Sequence, residues 1–354
     1  RRQAVAAIAA TWKDDPETLP WLKERALTDY NSDVRQAAVQ ALGRGWKDDP
    51  ETLPWLKERA LTDDNLAVRR AAVQELARGW KDDPETLPWL KKHARTDDNW
   101  AVRQAAVQAL ARWHKDDPET LPWLKELALI DDNWAVRLAA FQALARGWKD
   151  DPKTLPLLKE RARTDDDWRV RQAAVQELAR GWKDDPETLP LLKERARTDN
   201  NSDVRQAAVQ ELARGWKDDP ETLPLLKERA RTDNDWDVRQ AAFQALVRWH
   251  KDDSETLSWL KQIAKYNHSL AMRQAAVQEL ARGWKDDPET LPWLKELAQS
   301  DDNLALRQVA VKELVFGWKD EPGILEIVRD CAQNDRNPIL RKFAQRKLAE
   351  LEGQ

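Results

Sequence analysis

A unit of 34 residues recurs along this chain with no insertion or deletion, and that period governs what the chain can fold into. One aromatic slot marks it: Trp12, Trp46, Trp80, Trp148, Trp182, Trp216, Trp284 and Trp318, with His114 and His250 in the two remaining copies. Fixed-period self-similarity signals a repeat architecture, in which like units stack and bury their faces only against their neighbours. The functional question then becomes what a long, regular surface could hold.

Each unit reads as two helices. From Leu66 to Trp80, the residues Val68, Ala72, Val73 and Leu76 share one arc of a helical wheel, and Arg70, Gln74 and Arg78 lie opposite. Asp63-Asp64-Asn65 supplies a cap and negative charge at the positive end of the helix dipole. Gly79 is expected to close the helix in a left-handed conformation. In the other half, Asp49 can cap, Pro50 suits a first helical turn, and Lys57 and Arg59 sit near the end. Pro54 lacks an N–H at the limit of that turn, so the regular helix is placed nearer Leu53, burying Leu53, Leu56 and Ala60. Two antiparallel helices per unit make an α-solenoid. Tetratricopeptide repeats have the same length, but their Trp-Leu-Gly-Tyr spacing is missing here.

Asp63, Val68-Arg69, Ala72 and Leu76 resemble the Asp-x5-Arg signature of HEAT repeats, in particular the phycobilisome-lyase-type HEAT-like repeats. The spacing recurs as Asp97/Arg103, Asp131/Arg137, Asp165/Arg171, Asp199/Arg205 and further pairs, with Asn267/Arg273 the one departure. The resemblance implies an all-α, right-handed solenoid in which these residues form a hydrogen-bonded ladder between neighbouring repeats. The wording of the unit Gly45-Trp46-Lys47-Asp48-Asp49-Pro50-Glu51-Thr52-Leu53-Pro54-Trp55-Leu56-Lys57-Glu58-Arg59-Ala60 is also similar to the C-terminal repeat arrays of NACHT-type signalling ATPases of filamentous cyanobacteria. These are STAND proteins laid out like animal and plant immune receptors. That similarity implies a ligand-sensing region and an NTPase domain elsewhere in the full-length chain. No Gly-rich loop ending in Gly-Lys-Ser/Thr occurs in these residues.

Composition narrows the function. Charged residues are 34% of the chain, yet the net charge is only -4, which is not the basic excess of a dedicated nucleic-acid binder. A single cysteine, Cys331, excludes an intrachain disulfide framework and suits a reducing, cytoplasmic setting. No apolar run is long enough to span a bilayer. The chain opens in mid-repeat at Arg1-Arg2-Gln3, which reads as a trimmed N-terminal neighbour. The expected organisation is a partial repeat at 1–31, nine repeats over 32–337 and a charged capping helix at 338–354, opened by Pro338.

The acidic pairs Asp48/Asp49 and Asp82/Asp83 recur before nearly every helix, so capping explains them better than catalysis, which needs a unique pair. His93, His114, His250 and His268 are too scattered to share a metal. Cys331 fills a slot held elsewhere by Arg59, Leu127 or Ile263, and a half-buried packing role is expected. No catalytic, cofactor or metal site is assigned, and the chain is read as non-enzymatic.

The surface is more informative. Arg78, Arg112, Arg146, Arg180 and Arg214 form a row beside Gln74, Gln108 and Gln142 on the exposed face of the second helix. It could line a groove for an acidic peptide or a phosphate backbone, or simply be a solvated face complementing helix C-termini. Trp100, Trp134, Trp168 and Trp236 open the second helix in a slot that elsewhere holds Ser32, Leu66, Ser202, Leu270 or Leu304. A core position does not accept that range of volumes, so these indoles are expected at the surface as a row of interface anchors. The other tryptophans read as structural. Variation between units concentrates at the slots of Leu66, Ala67, Glu75, Trp55, Glu58, Arg59 and Leu61, read mostly as exposed or flanking. The expectation is a recognition array for a protein or peptide partner, with no membrane role. A nucleic-acid-binding array and a phycobilin lyase-like subunit are the alternatives.

Overall fold

The computed structural model describes residues 1–249 and 254–352, and His250 lies outside them. The described residues form helices joined by short loops, with no strand. They divide into two compact units, Arg1–Arg195 and Ala196–Gln354, with the division falling inside the helix Thr188–Thr198.

In the first unit a helix of 11 residues alternates with one of 14. Thr18–Thr28, Thr52–Thr62, Thr86–Thr96, Thr120–Ile130 and Thr154–Thr164 are the short helices. Ser32–Gly45, Leu66–Gly79, Trp100–Trp113, Trp134–Gly147 and Trp168–Gly181 are the long ones. Each short helix packs on the long helix that follows it, and successive long helices pack on one another. The second unit repeats this plan: Thr222–Thr232, Ser254–Tyr266, Thr290–Ser300 and Ile324–Asn334 alternate with Ser202–Gly215, Trp236–Trp249, Leu270–Gly283 and Leu304–Gly317, and Pro338–Glu352 closes it. Both units are therefore all-α stacks of two-helix repeats.

The long helix is buried on two sides because it faces both its own short helix and the next long one. Val68, Ala72, Val73 and Leu76 are buried as the wheel requires, and so are Ala71 and Ala77. The small side chains let neighbouring helices approach closely. Gly43 shows the limit: a Cβ there would lie 2.5 Å from the Glu75 Cβ of the next repeat.

The start of the short helix follows from Pro50 and Pro54. Helix begins at Thr52, and the Asp49 carboxylate caps the turn before it, accepting from the Glu51 N–H at 3.1 Å and from the Thr52 hydroxyl at 3.0 Å. At the long helix, Asn65 is the cap, accepting from Ala67 N–H at 2.9 Å, and Asp63 accepts from Asn65 N–H at 2.8 Å.

Three expectations are corrected. Gly79 is not left-handed: it is the last helical residue, Trp80 follows at φ -121°, and the positive-φ glycine among the described residues is Gly323. The same slot holds Trp113, which a left-handed position would not admit. The Glu75 slot is not exposed, since Glu75, Glu177, Glu211 and Glu313 are all buried. Cys331 is fully buried, with its Sγ donating to the Ala298 carbonyl.

Candidate functional site

The Asp/Arg signature builds a ladder inside the stack. Arg35, Arg103, Arg137 and Arg205 each stand near the start of a long helix and reach forward, past their own loop, to the aspartate 28 positions on. Arg103 donates to Asp131 at 3.2 and 3.0 Å, and Arg137 to Asp165 at 3.1 and 2.8 Å. Arg69 Nη2 donates to both oxygens of Asp97 at 2.6–2.7 Å, whereas Arg35 donates from Nε and Nη2 to one Asp63 oxygen each, at 3.3 and 3.2 Å. In the second unit Arg205 donates to Asp233 at 2.9 and 2.7 Å, and Arg307 to Asp335 at 2.9 and 3.0 Å. The backward tie goes to a carbonyl: Arg103 Nη1 donates to Asp97 O and Arg171 Nη1 to Asp165 O. Asp199 caps its own loop, accepting from Asn201 N–H at 3.0 Å.

These acids are buried, so the ladder holds repeats together and offers little to a ligand. Burial alone would raise the Asp233 carboxylate, but the hydrogen bonds from Arg205 and the Asp235 N–H outweigh it and hold the group below its ordinary value. A second, outer ladder runs from the lysine of one short helix to the acids before the next. Lys159 meets Asp185 at 2.7 Å and Glu187 at 2.9 Å, and Lys91 meets Glu119 at 2.9 Å. A third tie is aromatic, with Lys115 over the Trp148 ring at 6.0 Å and Lys285 over Trp318 at 5.7 Å. The sequence reading missed both, although Lys and Glu recur at the required spacing.

The arginine row is less free than its exposure suggests. Arg112, Arg146, Arg180 and Arg214 are exposed and Arg78 is half-buried; Gln74 and Gln108 are exposed and Gln142 is half-buried. Buried glutamates sit beneath the row. Glu75 accepts from Arg78 at 2.5 Å and from Arg44 of the preceding repeat at 3.3 Å. Arg146 reaches forward to Glu177 at 3.0 Å, Arg214 pairs with Glu211, and Arg282 donates to Glu313 at 3.0 and 2.8 Å. Where Ala109 replaces the acid, Arg112 instead stacks on Trp113 at 5.0 Å.

The tryptophan slot is unevenly open. Trp100 is 42% exposed, whereas Trp134, Trp168 and Trp236 are half-buried, so the row is not uniformly accessible. The reason is Arg169. Its guanidinium lies 4.4 Å from the Trp134 ring and 4.7 Å from the Trp168 ring, bridging two successive repeats. In the second unit Arg239 covers Trp236 at 5.6 Å. Arg169 is a departure in a slot that holds Ala67, Ala101 and Ala135 in the three preceding repeats, and that departure was the available signal.

The remaining polar groups do not converge. Among the described residues no three His, Cys, Asp or Glu side chains stand close enough to hold a metal ion. His114 is buried and His93 half-buried against Trp89 at 4.4 Å, and burial lowers the pKa of both. No helix among the described residues is long and apolar enough to cross a membrane.

The family model described as HEAT repeats matches residues 1–77, 59–145, 87–179, 131–213, 155–247 and 256–349. A search of curated proteins finds no match. Among solved structures, Kap121p bound to Ste12p is similar over 95% of this chain and 40% of its own, at 17% identity and a TM-score of 0.63. Kap121p bound to RanGTP is similar at 15% identity and a TM-score of 0.52, covering 100% of this chain and 44% of that one. A chain of the full-length AP-3 complex, itself a homology model, is similar at 15% identity and 0.50, over 100% and 72%. The chain thus spans about two fifths of the Kap121p chain. Identities this low speak for the fold alone.

Proposed function

Because the chain belongs to the HEAT-repeat family, we propose that it is a recognition array that binds a protein partner, with Trp100, Trp134 and Trp168 as its contact edge. The observation that supports this reading is the Trp134–Arg169–Trp168 stack beside the open Trp100. Stacking of repeats does not require these side chains, since Ser32 and Ser202 serve in the same slot. Indole and guanidinium groups held rigid before binding lose little entropy on docking, and Trp and Arg dominate interface energetics. The arginine row is a weaker candidate for phosphate, because buried glutamates beneath it neutralise much of its charge.

The test is crosslinking in the source cells, with a photoreactive residue placed at Ala67 or Leu129 on the full-length protein. One defined partner should be recovered with the wild type. It should be lost from the variant carrying Trp100→Ser, Trp134→Ser and Trp168→Ser while that variant stays folded by circular dichroism. Undiminished recovery would reject the edge as the contact.

The finer proposal is that the array is the ligand-sensing region of a NACHT/STAND-type signalling ATPase in the cytoplasm. It is supported by the similarity of the Gly45–Ala60 wording to such arrays. Reading the gene upstream of Arg1 tests it: a Gly-rich loop ending in Gly-Lys-Ser/Thr is the expected finding, and an unrelated upstream reading frame would reject it.

A further inference from the structure

The ladder has one rung of a different kind. Arg205, Arg273 and Arg307 each reach a carboxylate 28 positions on, at distances between 2.7 and 3.3 Å. Arg239 stands among them, and position 239 + 28 is Asn267. An amide carries no charge, and the Asn267 Oδ1 already accepts from the Ser269 N–H at 2.8 Å. Arg239 donates to the carbonyl of Asp233 at 2.6 Å and lies over Trp236. Among the described residues no carboxylate forms an ion pair with it.

A cavity of about 460 Å³ opens at this point, bounded by Arg231, Arg239, Asn267, Trp259, Ile263 and Tyr266. Asp233 also lines the cavity, but Arg205 holds both of its oxygens and Arg229 approaches at 3.5 Å, so it does not balance Arg239. Arg231 is exposed at the end of its short helix, and none of its side-chain contacts is an ion pair with a described acid. Trp259 and Ile263, both buried, and Tyr266, 69% exposed, add apolar lining to the same cavity. The complement of this surface is a carboxylate beside an apolar group.

We propose that this cleft binds an acidic side chain of a protein partner. Its carboxylate takes the rung that Asn267 leaves uncharged, and the adjoining apolar residue packs on Trp259, Ile263 and Tyr266. That the carboxylate is borne by a protein rests on the recognition reading above; the carboxylate site does not. Elsewhere the repeat supplies its own acid at this place, so a partner that supplies one completes an interface already shaped for it.

Calorimetry with the intact protein tests the proposal, using acetyl-Leu-Glu-Leu-amide, acetyl-Leu-Gln-Leu-amide and free N-acetylglutamate. The Glu peptide should bind at least ~10-fold more tightly than its Gln counterpart, a difference of about 1.4 kcal/mol, and more tightly than the free acid. Asn267→Asp supplies the missing carboxylate from within; it should weaken the Glu peptide at least ~10-fold while raising the urea midpoint. Arg239→Gln should weaken it as much with little change in midpoint, and serves alone where the aspartate variant fails to fold. Equal affinity for the Glu and Gln peptides, or undiminished binding to Asn267→Asp, overturns the site. Binding of N-acetylglutamate as tightly as the peptide overturns the protein partner as its source. The Trp100→Ser, Trp134→Ser, Trp168→Ser variant should keep this affinity, so failure of the edge and failure of the cleft read out separately.

Discussion

Replacing Arg205 with Gln removes the cation from the most enclosed rung of the ladder. The Asp233 side chain is 0% exposed and that of Arg205 is 7% exposed. The substitution deletes two bonds to Asp233, at 2.9 and 2.7 Å, one to Asn234 at 2.7 Å and one to the Asp199 carbonyl at 2.9 Å. Removing one partner of a buried ion pair costs about 3–5 kcal/mol. The lower end applies here, because Asp233 keeps its bond from the Asp235 N–H and Arg229 remains 3.5 Å away. About 3 kcal/mol at pH 7 is therefore expected. The pH dependence gives a sharper test. In the wild type the Asp233 pKa is depressed below its unfolded value of about 3.9, so its stabilisation is present above that pH and fades as pH falls through the folded value. Without Arg205, burial dominates and lifts the folded pKa above the unfolded one. The variant then favours the protonated acid and loses stability as pH rises from about 4. The gap between the two proteins should widen between pH 3 and pH 7. Urea melts followed by circular dichroism at both pH values measure it. An equal gap at the two pH values, or a loss under about 1 kcal/mol at pH 7, would refute this account of the rung.

The same reasoning separates members of the arginine row. Arg282→Ala orphans Glu313, whose side chain is 1% exposed, and should cost about 1–2 kcal/mol in urea melts, whereas Arg112→Ala, with Ala109 beneath it, should stay within about 0.5 kcal/mol. Burial pushes the Cys331 thiol up to about 11, so alkylation of the native protein by iodoacetamide at pH 8.5 should run at least ~100-fold slower than after unfolding in urea. This raised pKa stabilises the fold fully below the unfolded value, and the contribution should be lost as pH climbs towards about 11. Duplex and single-stranded oligonucleotides should bind no tighter than about 10 µM at physiological salt in a fluorescence titration, and sub-micromolar affinity there would count against the neutralised arginine row.

Helix positions were legible in the sequence because local rules govern them. Pro50, Pro54 and the Asp49 carboxylate together leave Thr52 as the natural start, and Val68, Ala72, Val73 and Leu76 point to one core. The burial of Glu75 was not legible. A wheel drawn for one helix knows one partner, but this helix has two, and the second is its own copy in the next repeat. The ladder was half legible for the same reason. Asp63 and Arg69 stand six apart in the chain, yet the carboxylate that Arg69 holds is Asp97, which only stacking brings within reach. Gly79 misled because Gly near a helix end usually marks a left-handed turn, whereas here the helix ends at Trp80, with φ -121° and ψ 38°, and the glycine does not take a positive φ. Of the candidate surface, the odd indoles could be found by comparing one repeat with another. Their uneven exposure could not, because it depends on Arg169 reaching from one repeat to the next.

Because the Arg205, Arg273 and Arg307 rungs each span 28 positions within a period of 34, the interface chemistry of the second unit is blind to the loss or gain of a whole repeat. Excision of residues 240–273 would bring Asp301 to position 267 of the shortened chain (301 − 34 = 267), 28 beyond Arg239. Arg239 would then hold the carboxylate that Arg273 holds at present. Near-identical coding segments are the substrate of slippage and unequal exchange, so the copy number of such an array can drift by integers while each junction remains well formed. The amide at Asn267 would vanish in that single event, and with it the cleft. Lineages carrying arrays of different length would then differ in what they capture before they differ in how firmly they fold.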